Sequence, residues 1–229
     1  MQVKHDAWLT GLMGCDSYHL TGQLEDLDKD LTFEAKSFVD VKIPVDQIRP
    51  LTILQNLGFR LVDTNVQLLK AAGEMRKEVH TCRFASESDY NSVCKIASSS
   101  FTKSRFHLDP LISKDTADLV KKEWAGNFFK GLRGKWMVVA EVEGKVVGFL
   151  QLLKRSDSVI VIDLIAIDTS MQGKGIAGSM ISFANRECLE SPGDIIVGTQ
   201  ISNIQSLAFY TKHGFRIISG DYVLHLHTN

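Results

Sequence analysis

The apolar positions change period along the chain, and the changes mark out its elements. Ser86 and Asp89 have the spacing of a capping box, and Tyr90, Val93, Cys94, Ala97 and Phe101 fall on one helical face, so residues 86–101 predict an amphipathic helix. Residues 115–132 predict a second. Three strand-like runs follow, over 136–141, 145–153 and 159–167, with Glu143 and Gly144 as a tight turn between the first two. The period then returns to helical, with Ile176, Met180, Ile181, Ala184 and Cys188 on one side. A buried-looking strand over 195–199, a helix over 204–212 and a closing hairpin complete the pattern. Helices and strands that alternate in this order imply an α+β, mixed-sheet fold.

One segment occurs twice. Leu54-Gln55-Asn56-Leu57-Gly58-Phe59-Arg60-Leu61 resembles Tyr210-Thr211-Lys212-His213-Gly214-Phe215-Arg216-Ile217. Each copy reads as a helix end, a glycine stop and a strand, because glycine takes the left-handed conformation that closes a helix. A second strand-like stretch follows each copy, over 66–69 and 222–226. Residues 1–77 therefore predict a short N-terminal module built like the end of the main domain, which would occupy 78–229. The polar, mixed-charge and helix-like residues 70–78 form the expected boundary.

Composition narrows the functional classes. Hydrophobic residues are 44% and charged residues 23% of the chain, the net charge is -1, and so no basic face invites a nucleic acid. No apolar run reaches the roughly 18 to 20 residues that cross a bilayer. Lys4, His5 and Asp6 before Trp8 interrupt any signal-peptide core, leaving the cytoplasm as the expected location. Cys15, Cys82, Cys94 and Cys188 lie far apart, without the close pairs of zinc or redox sites, so they read as buried thiols and no metal is expected.

The strongest chemical signal is Gln172-Gly173-Lys174-Gly175-Ile176-Ala177, directly after a strand and before an amphipathic helix. Glycines there let the backbone fold closely round a ligand, and a helix start presents unpaired N–H groups. The spacing is neither that of a dinucleotide loop nor that of a P-loop. A ligand-free strand-to-helix turn is the alternative from glycine spacing alone. Together with Leu164-Ile165-Ala166-Ile167-Asp168 before it, the segment resembles the GNAT superfamily of N-acetyltransferases, whose pattern is Gln/Arg-x-x-Gly-x-Gly/Ala. The order of elements from 79 to 229 resembles the same fold.

That resemblance implies a GNAT fold with a splayed, mostly antiparallel central sheet, preceded here by a truncated GNAT-like module. It implies that acetyl-CoA is the cosubstrate and lies in the splay between the strands at 159–167 and 195–199. Backbone groups of Ile165 and Ile167 would bind its pantetheine arm, and residues Gln172, Gly173, Lys174, Gly175, Ile176 and Ala177 its pyrophosphate. Tyr210 would protonate the departing sulfur; otherwise it is an aromatic packed beneath the last strands. Asn203 would cap its helix, reach the coenzyme, or do both. Asp163, an acid among apolar residues two positions before Ile165 and so expected on the same face, is the candidate base; orienting the substrate or facing solvent are its other readings.

A narrower resemblance covers most of the chain discontinuously. Residues 101–110, containing Ser104-Arg105-Phe106, resemble a loop of the bacterial dTDP-fucosamine acetyltransferases, and so do the segment at 54–62 and Thr199, Gln200, Asn203 and Tyr210. It implies transfer of the acetyl group to the amine of a nucleotide-diphosphate-linked sugar, with Arg105 and His107 on the acceptor's phosphates, and leaves room for a homodimer. Arg105 paired with Asp109 is the alternative, and the residues from His107 onward depart from the relatives. Other acceptors (aminoglycoside, polyamine or peptide amine) and a non-catalytic acyl-CoA-binding sensor are the competing functions.

Overall fold

The computed structural model describes residues 2–22, 31–74, 77–189 and 193–228. In chain order the elements are β1 (Gln2–His5), α1 (Ala7–Met13), β2 (Asp16–Thr21), β3 (Ser37–Pro44), α2 (Ile48–Asn56) and β4 (Arg60–Lys70). Next come β5 (Thr81–Phe84), α3 (Tyr90–Ser100), α4 (Arg105–Leu108), α5 (Lys114–Gly126), β6 (Trp136–Val142), β7 (Lys145–Ser156) and β8 (Val159–Ile167). The chain ends with α6 (Ile176–Glu187), β9 (Asp194–Gln200), α7 (Ile204–Lys212) and β10 (Arg216–His227).

All the strands join one ten-stranded sheet in the order β1-β2-β3-β10-β4-β9-β8-β7-β6-β5. The pairs β2/β3 and β8/β9 are parallel and the others antiparallel, giving the mixed, mostly antiparallel sheet that the resemblance implies. Alternate residues of the strands feed two cores. Val138, Ala140, Leu150, Leu152, Ile160 and Ile162 pack with Ile176, Met180 and Ile181 of α6. Met137, Val139 and Phe149 pack with Val93, Ile96 and Ala97 of α3.

The two copies of the repeated segment adopt the same geometry. Gly58 and Gly214 stand at φ +93° and +84°, and the amide after each bonds back to a buried helical residue, Phe59 N–H to the Leu54 carbonyl and Phe215 N–H to the Tyr210 carbonyl, both at 3.0 Å. The turn therefore launches β4 and β10 in equivalent fashion. The strands then cross over: β10 pairs with β3, and β4 pairs with β9. Each repeat thus places its last strand against the other repeat's penultimate one, and the sheet runs unbroken across the expected boundary at 77/78.

Three expected elements take a different form. The closing hairpin is one long strand, and so is its counterpart at 60–70. At Ser219 and Gly220 the strand runs on, paired with Gln67 and Val66 of β4, and its irregularity is absorbed as a register shift between Ile217 and Ser219. The second helix stops at Gly126, after which Gly131 at φ +67° and the Leu132 N–H to Asn127 carbonyl bond close a turn. In place of the helix-like stretch at 70–78, Lys70 ends β4 and residues 71–74 and 77–78 are non-helical; residues 75 and 76 lie outside the described ones. The 143–144 turn is as expected, with both φ positive (51° and 73°).

Because β4 fills the space between β9 and β10, residues 78–229 expressed alone should leave both strands with open edges and aggregate. Co-expression with residues 1–77 should restore a soluble complex, measured by size-exclusion chromatography. A monodisperse 78–229 fragment would contradict this.

Candidate active site

The site begins where the sheet opens. β8 and β9 pair only from Val159↔Asp194 to Ile162↔Val197; beyond that point β8 stays with β7, and β9 stays with β4 out to Gln200↔Asn65. Residues 163–167 and 198–200 consequently face each other across a gap, in the middle of a sheet. Unpaired strand edges there are suited to an extended ligand with amide groups of its own. The Ile167 carbonyl is already used, accepting from Ser100 Oγ at 3.2 Å and from Gln172 Nε2 at 3.4 Å.

A β-bulge fixes the opening. Gln151 faces Leu164 and Leu152 faces Ile162, so Asp163 is the extra residue. The bulge reverses the alternation of faces: Ile160, Ile162 and then Ile165 pack on the α6 side, whereas Leu164 and Ala166 pack with α3. Asp163 turns toward Trp124 of α5 and does not share a face with Ile165, which corrects the expectation from simple alternation.

Below the gap lies the glycine segment. Asp168 caps the short turn Thr169–Met171, accepting from the Ser170 N–H at 3.0 Å. Gly173 and Gly175 stand at φ +77° and +84°, conformations that L side chains rarely adopt. Between them, the Lys174 carbonyl accepts from His80 Nε2 at 2.7 Å, fixing the loop against the segment before β5. Gly175 is the N-cap of α6 and brings no side chain to accept from the first helical amides. Gln172, Gly173, Lys174 and Gly175 are exposed, while Ile176 is buried and Ala177 half-buried, anchoring the helix start on the sheet. The result is an open concavity of amide donors at the positive end of a 12-residue helix, which fits a pyrophosphate.

The other wall is α7. Asn203 is its N-cap and accepts from the Ser206 N–H at 3.3 Å. Tyr210 is 3% exposed and shares the core that holds Ile176 and Met180 of α6. Its ring packs edge-on against Phe209 and Phe215, each at 5.2 Å. Burial raises the pKa of its hydroxyl above the usual phenolic value. A Cβ built on Gly178 would lie 2.9 Å from His213 Nε2, so α6 and the end of α7 approach closely only because residue 178 is glycine.

The opposite side of the sheet is built from paired charges. Asp163, 6% exposed at its side chain, accepts from Trp124 Nε1 (2.9 Å), Gln151 Nε2 (2.9 Å), Arg133 Nε (2.7 Å) and Arg133 Nη2 (2.6 Å). Four donors on two oxygens make it an anchor for those side chains. Arg105 pairs with Asp40 of β3 at 2.7 Å and not with Asp109. Burial disfavours the Asp40 carboxylate, but Arg105 and His19 outweigh it and hold its pKa at about 2. His107, 5% exposed, accepts at Nδ1 from Ser104 Oγ (2.6 Å) and donates from Nε2 to Asp118 (2.9 Å), leaving neither nitrogen for a phosphate. Asp109 instead accepts from His225 Nδ1 (2.7 Å) and His227 Nε2 (2.8 Å), tying β10 to the residues after α4. Trp124, Arg133 and Gln151 carried no local motif, and only their convergence on the bulge shows their place.

Residues 90–215 match the sequence profile of the Acetyltransferase (GNAT) family. The match covers more than half of the chain, which belongs to that family of acetyl-CoA-dependent N-acetyltransferases. Among particular relatives, the spore coat polysaccharide biosynthesis protein SpsD of Bacillus subtilis is 34% identical over 143 residues, 60% of this chain and 47% of SpsD. The chain thus matches about half the length of that relative. The dTDP-fucosamine acetyltransferase of Escherichia coli is 25% identical over 191 residues, 82% of this chain and 81% of that one. Two solved structures share the fold: a functionally unknown conserved protein of Staphylococcus epidermidis (TM-score 0.66, 14% identity, 94% of this chain and 85% of that one) and a GCN5-related N-acetyltransferase of Sphaerobacter thermophilus (TM-score 0.56, 13% identity, 85% and 61%).

Two tests follow from this geometry. Valine at position 173 or 175 should displace the loop's amides and weaken acetyl-CoA binding by roughly tenfold or more, the loss of about 1.4 kcal/mol, with circular dichroism unchanged. Unaltered affinity by calorimetry would mislocate the cradle. Replacing Asp163 with Asn should weaken the bonds that hold Arg133 and lower stability by about 1–3 kcal/mol in urea unfolding; unchanged stability would mean that the carboxylate is not an anchor.

Proposed function

We propose that this chain moves an acetyl group from acetyl-CoA to the primary amine of a nucleotide-diphosphate-linked amino sugar. The observation that carries the transfer chemistry is the opened strand pair β8/β9 lying between the glycine cradle and Tyr210. The acceptor class is supported by similarity to two relatives, one named for spore coat polysaccharide biosynthesis and one for acetylation of dTDP-fucosamine. On this reading residues 78–229 are the transferase and residues 1–77 a truncated copy that completes its sheet and acceptor side. Both substrates are of a cytoplasmic kind, and the reaction belongs there.

Acetyl-CoA supplies an activated acetyl thioester, and the chain supplies the rest. Residues 172–177 hold the pyrophosphate through backbone amides at the start of α6, and Asn203 reaches the same ligand from the start of α7. Backbone groups of Ile165 and Ile167 line the pantetheine arm, and an amide at Ile165 polarises the thioester carbonyl. The amine attacks from the α5 side, where Arg133, bonded to Asp163 but with its side chain still partly exposed, is available to a diphosphate. Tyr210 donates its proton to the sulfur as the carbon–sulfur bond breaks. A phenol whose pKa is raised by burial keeps its proton throughout the neutral range, so it is always in the donating form. Near pKa 10 in water, a phenol is only about 1.5 units from a thiol near 8.5; the elevated value demands that transfer accompany charge development on sulfur.

Tyr210→Phe keeps the ring and its packing. It should bind acetyl-CoA nearly as tightly while kcat and kcat/KM fall together by roughly 10² or more. A thioester with a much better leaving group should restore the rate. Thiol release across a panel of dTDP- and UDP-linked amino sugars, with spermidine, kanamycin and a peptide amine as competitors, tests the acceptor. Unchanged kcat with a raised acceptor KM would make Tyr210 a binding residue.

A further inference from the structure

Aminolysis needs the acceptor nitrogen free of its extra proton, and Asp163 is fully engaged by other donors. Against the same Trp124 that bonds Asp163 stands a different group. Lys121 of α5 is 8% exposed, yet among the described residues its ammonium has no hydrogen bond or ion pair. Its Nζ instead faces two rings, Phe101 at 4.9 Å and Trp124 at 4.7 Å from the centroids. Arg133 lies over Trp124 as well, also at 4.7 Å.

The surrounding charges explain why no counterion reaches it. Asp163 on β8 is held by Arg133, and Asp40 on β3 by Arg105 of α4 and by His19 of β2. Lys42 on β3 adds a further cation. From α3 the nearby titratable group is Cys94, whose thiol is bonded to the Lys122 carbonyl, and α1 presents Trp8 against Trp124. His107 of α4 is spent on Asp118. Asp163, the carboxylate that acts on Lys121, is thus used elsewhere while Arg105 and Arg133 stay close. Burial first, then Arg105, opposed by Asp163 and assisted by Arg133 and Lys42, lowers the Lys121 pKa to about 7.

Position completes the case. The Trp124 ring under Lys121 donates its indole N–H to Asp163, the bulged residue, and Ile165 at the mouth of the gap is two residues further along β8. Lys121 therefore sits within one side chain of the place where β8 and β9 part. Resting on the acetyl-transfer reading above, we propose that Lys121 Nζ is the base that removes the proton from the acceptor's ammonium group before attack. The N–H bond of the ammonium breaks as a lysine N–H bond forms. The freed lone pair bonds to the acetyl carbon, and the carbon–sulfur electron pair leaves on sulfur, which takes the Tyr210 proton. The remaining extra proton on the new amide nitrogen returns to the Tyr210 oxygen through water, and Lys121 releases its proton to solvent. The net products are amide, free thiol and one proton.

Lys121→Met removes the lone pair and preserves the stem, and Lys121→Arg keeps a charge that never deprotonates at working pH. Each is measured with whichever amine of the panel above the wild-type protein acetylates. In the wild type, kcat/KM should rise tenfold per pH unit up to about pH 7 and then level, because the neutral lysine predominates only above that point. Both variants should lose roughly 10² in kcat at pH 7.5 and lose the inflection, with acetyl-CoA affinity within twofold of wild type. Nitrogen-15 lysine spectra should contain one resonance titrating near 7 that is absent from Lys121→Met. A Lys121 resonance titrating near 10 overturns the proposal. So does a Met variant that keeps kcat and the inflection and raises only the acceptor KM, the behaviour of a phosphate contact. If the amine that reacts carries no nucleotide, the acceptor reading fails, and Lys121 is still judged by its own profile.

Discussion

The structure depends on holding a sheet together while opening it in the middle. β8 and β9 separate after Ile162 and Val197, so pairing with β8 alone would leave half of β9 unsupported. β4 supplies the support, pairing with β9 from Lys70↔Ile195 to Asn65↔Gln200 and so continuing past the split. The Asn65 side chain adds a bond to the Thr199 carbonyl at 3.2 Å, on the unsupported side of the opening. β10 then locks β4 from behind, and β3 locks β10. The ligand gap is stable because strands from distant parts of the chain brace one of its edges.

That arrangement separates what local pattern reveals from what it hides. The cradle, the 143–144 turn, the capping box at Ser86 and the strand at 159–167 are local features, set by glycine conformation, capping and alternation over a few residues, and they were legible in the sequence. The pairing of β4 with β9 links residues about 130 positions apart in sequence, and no local signal encodes it. The closing hairpin expected from the sequence is a continuous strand for the same reason: pairing with the distant β4 carries β10 through Ser219 and Gly220. The bulge at Asp163 is a third case. A single extra residue reverses every later side chain, and period-two reasoning carried through it puts Asp163 on the wrong side of the sheet.

Charge placement follows a related logic. A candidate base chosen from sequence is a carboxylate near the right strand, since a lone acid among apolar residues demands a reason. The reason here is Arg133, Trp124 and Gln151, which together donate four bonds to it and hold the loop after α5 against the bulge. Arg105 and His107 are likewise absorbed, by Asp40 and Asp118. Of these partners Asp118 lies on the next helix, whereas Asp40 belongs to the N-terminal half, so the Arg105 pair ties the two repeats together. Burying so many charges is tolerable only when each is paired, and Lys121, which is not, stands out against that background.

The two copies of the repeat differ in what surrounds the shared turn. Both copies retain the glycine turn and a buried aromatic after it, Phe59 and Phe215, because those residues form the strand launch. At the helical position whose carbonyl closes the turn, the C-terminal copy has Tyr210 and the N-terminal copy has Leu54, both buried. Leucine fills the same core position without a phenolic hydroxyl. The connection between the parallel strands also differs: a glycine cradle and α6 join β8 to β9, whereas among the described residues between β2 and β3 there is no helix. Packing and turn geometry are thus common to both halves, while among the described residues the buried phenol and the glycine segment before a helix occur together in the C-terminal one.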